Sequence, residues 1–281
     1  MNKVLRKILP LSVLALVLLV VTSAPALAAR GSSSPSILGN DISWPQCGRK
    51  LPSGQAFGIV GVNGGLANTT NSCLKDQLLW ANKSTGVINQ PKTQLYVNTA
   101  NPGGLNTQSW PQNNVDPAGN GAPNPYGICN GADSLACAWQ YGWNRAVEDV
   151  HFRFKPAAQA ANLPDNPASY RWWLDVETEN TWKTGSFGQA SNTADLEGMV
   201  AYFKNAVGSQ VGLYSTSYQW GQIIGSLDSA SNLNSLDSWL PGARSQTGAK
   251  NNCSSPPLTA GGQVTLTQFV SGSYDYDYSC V

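Results

Sequence analysis

The sequence predicts an α/β fold in which successive strands, each followed by a helical segment, close into a barrel. Three observations carry that expectation. Short apolar runs of strand length alternate with segments patterned at helical period, the signature of stacked βα units. Each helical segment lies between two strand candidates, as a parallel sheet requires. The chain has 281 residues, enough for one barrel domain of roughly 200 to 250 residues once a leader is set aside.

The leader is read from a basic start (Lys3, Arg6, Lys7), an apolar run over residues 8–21 and the exit Ala24-Pro25-Ala26-Leu27-Ala28-Ala29. That order is the pattern of a secretory signal peptide, with cleavage expected after Ala28. The apolar run is shorter than the ~20 residues a membrane-spanning helix needs, so no membrane attachment is expected after cleavage. Residues 29–36, Ala-Arg-Gly-Ser-Ser-Ser-Pro-Ser, lack the apolar side chains that would offset ordering entropy and read as a disordered lead. A single domain is expected over residues 37–281, outside the cell and acting as a monomer.

Within that domain, strands are expected at residues 37–42, 57–62, 94–98, 170–176, 211–214, 238–240 and 263–270. Helices are expected at 74–83, 134–152 and 217–224. A further helix begins at Asn192 or Thr193, where a side chain can cap a free N–H. It carries Leu196, Met199, Val200 and Phe203 on one face as far as Gly208. Residues 101–131, rich in Pro, Gly and Asn, form a long irregular excursion of the kind that often walls a functional groove.

Composition excludes several functions. The net charge is +1 with 12% charged residues, which leaves no clustered Lys and Arg to hold nucleic acid. His151 is the only histidine; this removes a His-Glu-x-x-His zinc site and leaves a Ser-His-Asp hydrolase resting on one residue at a helix end. No glycine-rich phosphate loop is present, and neither a cofactor nor a metal is expected. The six cysteines contain no Cys-x-x-Cys pair, and in an exported chain they favour disulfides. Proximity in sequence favours Cys47 with Cys73, Cys129 with Cys137, and Cys253 with Cys280.

The chemistry concentrates in Tyr170-Arg171-Trp172-Trp173-Leu174-Asp175-Val176-Glu177. Side chains two apart on a strand share a face, with Cα atoms about 6.6 Å apart. Asp175 and Glu177 can therefore work on one bond. Alone, such a pair is more often a solvated turn or N-cap at a strand end. Two other strand ends also carry acids: Asp41 in Gly39-Asn40-Asp41-Ile42-Ser43, and Asp275 and Asp277 after the last expected strand. In a barrel, the C-terminal strand ends converge on one mouth, which predicts a four-carboxylate site. Asp41 is also compatible with a turn before Pro45, and the fourth acid is either Asp275 or Asp277.

These residues resemble the family 25 glycoside hydrolases, secreted N-acetylmuramidases. The family's first-strand Asp-Val-Ser, followed by an aromatic and Gln, is similar to Asp41-Ile42-Ser43-Trp44-Pro45-Gln46. Its Asp-x-Glu matches Asp175-Val176-Glu177, and its Tyr-Thr/Ser strand end matches Leu213-Tyr214-Ser215-Thr216. Its closing Gln-aromatic and Val-Asp-x-Asn resemble Gln268-Phe269 and Tyr274-Asp275-Tyr276-Asp277. The chain departs from the family at Gly61-Val62-Asn63-Gly64-Gly65, where a Lys-Ala-Thr-Glu-Gly run is usual, and at Trp239-Leu240-Pro241-Gly242-Ala243. The resemblance implies an irregular TIM-like (β/α) barrel and net retention assisted by the substrate's 2-acetamido group. Glu177 would be the acid and then the base, Asp175 would steady the acetamido group, and Asp41 with Asp275 would raise the pKa of Glu177. The expected partner is peptidoglycan or another N-acetylated polysaccharide; the alternative is a wall- or glycan-binding protein that kept the barrel without turnover.

Aromatic residues extend the candidate site. Trp80, Trp139 and Trp143 fall in helical patterns and are expected in the core. Trp44, Trp110 and Trp182 lie beyond strand ends or in loops, where an indole either stacks on a sugar or simply packs. Tyr214 and Tyr218 could line the same groove. Trp172 and Trp173 must point to opposite faces of their strand.

Overall fold

The computed structural model describes residues 37–104 and 108–281. The expected signal peptide and disordered lead lie outside those residues. The chain enters the barrel at β1 (Leu38–Ile42), β2 (Gly58–Gly61) and, after helix α1 (Leu74–Asn82), β3 (Thr93–Asn98). Helices α2 (Leu135–Glu148) and α3 (Lys155–Ala160) precede β4 (Arg171–Asp175), and α4 (Gly185–Ala201) precedes β5 (Gln210–Tyr214). Helix α5 (Ser217–Ile223), β6 (Asp237–Ala243), α6 (Gln246–Asn252), β7 (Val264–Ser271) and β8 (Tyr274–Ser279) complete it.

The strands form one closed barrel in chain order, and β1 to β7 are parallel to one another. β8 returns antiparallel between β7 and β1 and closes the ring. Asp275 and Asp277 therefore lie within an eighth strand, where the sequence suggested a tail after the last one. Because β8 runs the other way, its beginning is what faces the mouth: Asp275 pairs with Asp41 in register.

Two cores follow from the period-2 alternation of the strands. Phe57, Ile59, Trp173, Trp239 and Leu266 fill the barrel interior, with Tyr96 and Tyr214 packed against them. Val60, Leu95, Val97, Trp172, Leu174 and Leu213 face outward into the helix layer, where Trp139, Trp143, Met199 and Phe203 meet them. Trp172 and Trp173 thus divide between the two cores as strand geometry requires.

Helix α4 begins seven residues before Asn192, at Gly185. Asn192 is buried inside the helix, and its amide donates to the carbonyls of Lys183 and Ile223. Gly185, Gly188, Ser191 and Asn192 are poor helix formers, so burial against neighbours and not propensity sets this start. The expected helix over 134–152 is instead α2, a π-helical turn at Asp149–Phe154 and then α3. α6 has no counterpart among the expected helices. The three disulfides join Cys47 to Cys73, Cys129 to Cys137 and Cys253 to Cys280, the pairs that proximity favoured. No helix among the described residues is long and apolar enough to cross a membrane.

Candidate active site

The carboxylates meet where the parallel strands end. Asp41 comes from β1, Asp175 is the last residue of β4, Glu177 lies two residues beyond it, and Asp275 is the second residue of β8. These four, with Tyr96, Tyr214, Trp239 and Gln268, line a cavity of about 170 Å³. No lysine, arginine or histidine is among the lining residues.

Asp41 is held by its side chain, and Asp175 and Glu177 through their backbone. Gln268 donates from Nε2 to Asp41 Oδ2 at 2.9 Å, and its Oε1 accepts from the Tyr214 hydroxyl at 2.9 Å, so the amide is fixed in one orientation. The backbone around Asp175 is tied on both sides. Thr99 Oγ1 donates to the Asp175 carbonyl at 2.6 Å, and Ser215 Oγ donates to the Val176 carbonyl at 2.7 Å. The Trp182 indole N–H donates to the Glu177 carbonyl at 2.8 Å. The Asp-Val-Glu segment is thereby locked although it runs past the end of its strand.

Burial without a counter-ion disfavours the ionised forms. Asp41 is pushed up to about 8, first by burial and then by the charge of Asp275, while the Gln268 bond opposes the rise. Burial, followed by the nearby Glu177, holds Asp175 well above the carboxylate range. Glu177 is raised by burial and then by Glu179, and a hydrogen bond with Asp175 lowers it. Asp275 is raised by burial. Asp175 and Glu177 therefore both favour their protonated forms, Asp175 the more strongly because it is the more deeply buried. Such a cluster can deliver a proton to a leaving oxygen and take one back.

The remaining sequence candidates are distributed differently. Tyr214 lines the cavity. Trp44 is 49% exposed in the short helical turn Trp44–Gln46 that follows β1, and it does not line the cavity itself. Its indole edge packs over the Gly64–Gly65 turn, where a Cβ on Gly65 would come within 2.4 Å of Nε1. Trp110 is a correction: it is 3% exposed, stacks on Tyr141 at 5.5 Å and donates to the Ala132 carbonyl. The excursion folds back on α2 and draws this indole into the core. Trp182 is half-buried against the outer core, and what it offers the site is its bond to the Glu177 carbonyl. Tyr218 is 73% exposed and lies outside the cavity wall. Asp277 is fully buried and also lines no part of the cavity.

Three lining residues had no role in the sequence reading beyond a motif match or a strand assignment. Tyr96 lies two residues before the end of β3, and Trp239 pairs in register with Tyr214. Strand period alone could have marked both as inward-facing. Gln268 appeared only as part of the closing motif. A larger cavity of about 770 Å³ lies on the outer flank between the excursion, α2 and α4. Its carboxylate Glu197 already accepts bonds from Tyr126 and Ser231, one at each oxygen. Among the described residues no group of three or more His, Cys, Asp or Glu side chains is arranged to hold a metal ion.

No protein-family model matches this sequence, and none of the curated proteins matches it. Among solved structures, a family 25 glycosyl hydrolase from Bacillus anthracis aligns with a TM-score of 0.49 and 14% identity, over 87% of this chain and 88% of that one. A muramidase from Trichobolus zukalii aligns with a TM-score of 0.48 and 17% identity, over 87% and 93%. A bacterial lysozyme from Streptomyces coelicolor gives 0.45 and 13%, over 88% and 93%.

Proposed function

We propose that this protein is a divergent relative of the family 25 muramidases, an exported monomeric glycoside hydrolase that cleaves peptidoglycan or a related N-acetylated polysaccharide. The observation that carries the reading is the convergence of Asp41, Asp175, Glu177 and Asp275 on one small cavity with no basic side chain in its wall. Paired acids with raised pKa values are what hydrolysis of a glycosidic bond requires.

In this reading Glu177 protonates the departing glycosidic oxygen as the bond to the anomeric carbon breaks. The oxygen of the substrate's own acetamido carbonyl closes on that carbon and forms a cyclic oxazolinium ion. Its N–H points at Asp175, which becomes the better anion once that hydrogen bond forms. With Asp175 held as that anion before the glycosidic bond breaks, the acidic proton resides on Glu177 and is the one it delivers to the leaving oxygen. Glu177, now ionised, takes a proton from water as the water opens the ring, and two inversions give net retention. The charge of Asp275 adds to burial and Glu179 in keeping the acid protonated. Trp44, exposed beside the mouth, offers an apolar face to a neighbouring sugar.

The test is reducing-end release from purified peptidoglycan and from a chitin-type oligosaccharide. Glu177→Gln is expected to abolish release while leaving the unfolding midpoint nearly unchanged; a variant with full activity would refute the assignment of the acid. Glycan capture without release by the wild type would favour the binding-protein reading, which the uncharged turn over residues 61–65 also suits.

A further inference from the structure

β8 carries a second inward-facing acid that the mouth does not use. Asp277 shares a strand face with Asp275 but lies one step deeper, opposite Gly39 on β1 and Gln268 on β7. It is 0% exposed. The groups that face it are the carboxyls of Asp41 and Asp275, the Trp239 indole from β6 and the Tyr214 phenol from β5. None is a cation.

Nor is a strong donor left over for it. The Gln268 amide directs one N–H to Asp41 and its second does not reach Asp277, and the Tyr214 hydroxyl spends its proton on Gln268. The Trp239 N–H is turned towards Asp277 but stops short of hydrogen-bond geometry, and both carboxyl oxygens of Asp277 lack a partner. An ionised Asp277 would be a buried charge without counter-ion or donor, an arrangement that costs several kcal/mol. A carboxylic acid brings its own donor, and the acceptor facing it is Asp41.

We propose that Asp277 is held as a neutral acid and donates a hydrogen bond to Asp41, so that it positions the mouth carboxylate from below. It is a positioning residue: the proton stays on Asp277 and fixes one oxygen of Asp41, while Gln268 fixes the other from the side. Burial, with the charges of Asp41 and Asp275, raises its pKa well above the usual range, in agreement with that state. The link to catalysis rests on the glycosidase reading above; the protonation state does not.

The experiment compares the full chain with Asp277→Asn, which keeps a donor but cannot ionise, and with Asp277→Leu, which has no donor. The first readout is the unfolding midpoint from pH 4 to pH 9. A group whose folded pKa is raised contributes stability below its unfolded pKa, here 3.8, and that stability is lost as pH rises. Wild type and Asp277→Asn should match near pH 4, with the Asn variant the more stable at pH 8. Equal slopes, or an Asn variant less stable at every pH, would overturn the proposal. The second readout is the pH profile of reducing-end release. Asp277→Asn should stay within threefold of wild-type kcat at neutral pH, and Asp277→Leu should lose more than tenfold in kcat with little change in KM. Should Leu fail to fold, the Asn arm alone decides. Should the wild type release nothing, the glycosidase reading falls while the stability profile still decides the state of Asp277.

Discussion

In the proposed reading Glu177 must hold a proton when the glycosidic oxygen departs, and its environment favours that state. After burial, the largest contribution raising it is the charge of Glu179, two residues on and exposed. An exposed charge acts through solvent and is screened by salt. Glu179→Gln should therefore move the alkaline limb of the pH profile of reducing-end release to lower pH by a fraction of a unit, and the shift should shrink as salt is added. A limb that stays fixed at low salt would mean that burial alone sets this acid. Trp44 offers a second test at this scale. Being half exposed, Trp44→Ala should raise KM roughly tenfold, worth about 1.4 kcal/mol, with kcat and the unfolding midpoint unchanged. At this scale the sequence was informative where spacing alone fixes direction. Asp175 and Glu177 share a face because they are two apart on an extended chain, and Asp41 joins them because strand ends converge. Spacing said nothing about Trp110, because only the folding of the excursion onto α2 decides whether that indole sees solvent or Tyr141.

Helices α2 and α4 make the closest crossing in the outer layer, and two glycines allow it. A Cβ on Gly142 would come within 1.8 Å of the Asp195 carbonyl oxygen, and one on Gly198 within 2.0 Å of the Trp139 carbonyl oxygen. Both obstacles are backbone, so neither can rotate away. Gly142→Ala should destabilise the fold by about 3 kcal/mol, the upper end of ordinary overpacking, measured by denaturant unfolding. The gain in helix propensity, about 1 kcal/mol, works against this and should be outweighed; a stabilised variant would show that the helices can move apart freely. The same pair explains which elements were readable. α1 and α5 are found within a residue of their expected bounds. The start of α4 was not, because Gly185, Gly188 and Asn192 look like loop residues until their neighbours are known. β8 was missed for a related reason. Tyr-Asp-Tyr-Asp-Tyr reads as aromatic inside and acid outside, yet Asp277 is buried and its flanking tyrosines are only half covered. A barrel that places carboxylates inward reverses the polarity by which strands are recognised.

Closure of the whole ring falls to that same strand. The seven parallel strands predicted from the sequence account for the wall but leave β1 and β7 as two open edges, each a row of unpaired N–H and C=O groups. β8 satisfies both, and the Cys253–Cys280 bridge ties its end to the helix that precedes β7. Two contributions can therefore be separated. Replacing both cysteines by serine leaves the pairing intact and removes only the constraint on a loop of 27 residues, worth about 3.5 kcal/mol by chain entropy; the variant should keep the wild-type elution volume, with a lower unfolding midpoint. Ending the chain at Gly272 removes the pairing as well, exposes two edges and the apolar interior behind them, and takes away Asp275 and Asp277. That shortened chain should associate or fail to fold, as read by size-exclusion chromatography and far-ultraviolet circular dichroism. A monomeric, folded product would mean that β1 and β7 can close without β8, and that the last strand serves the carboxylate cluster alone. The expected outcome is the reverse: the fold and the site depend on the same six residues, because the strand that seals the barrel is also the one that brings its acids to Asp41.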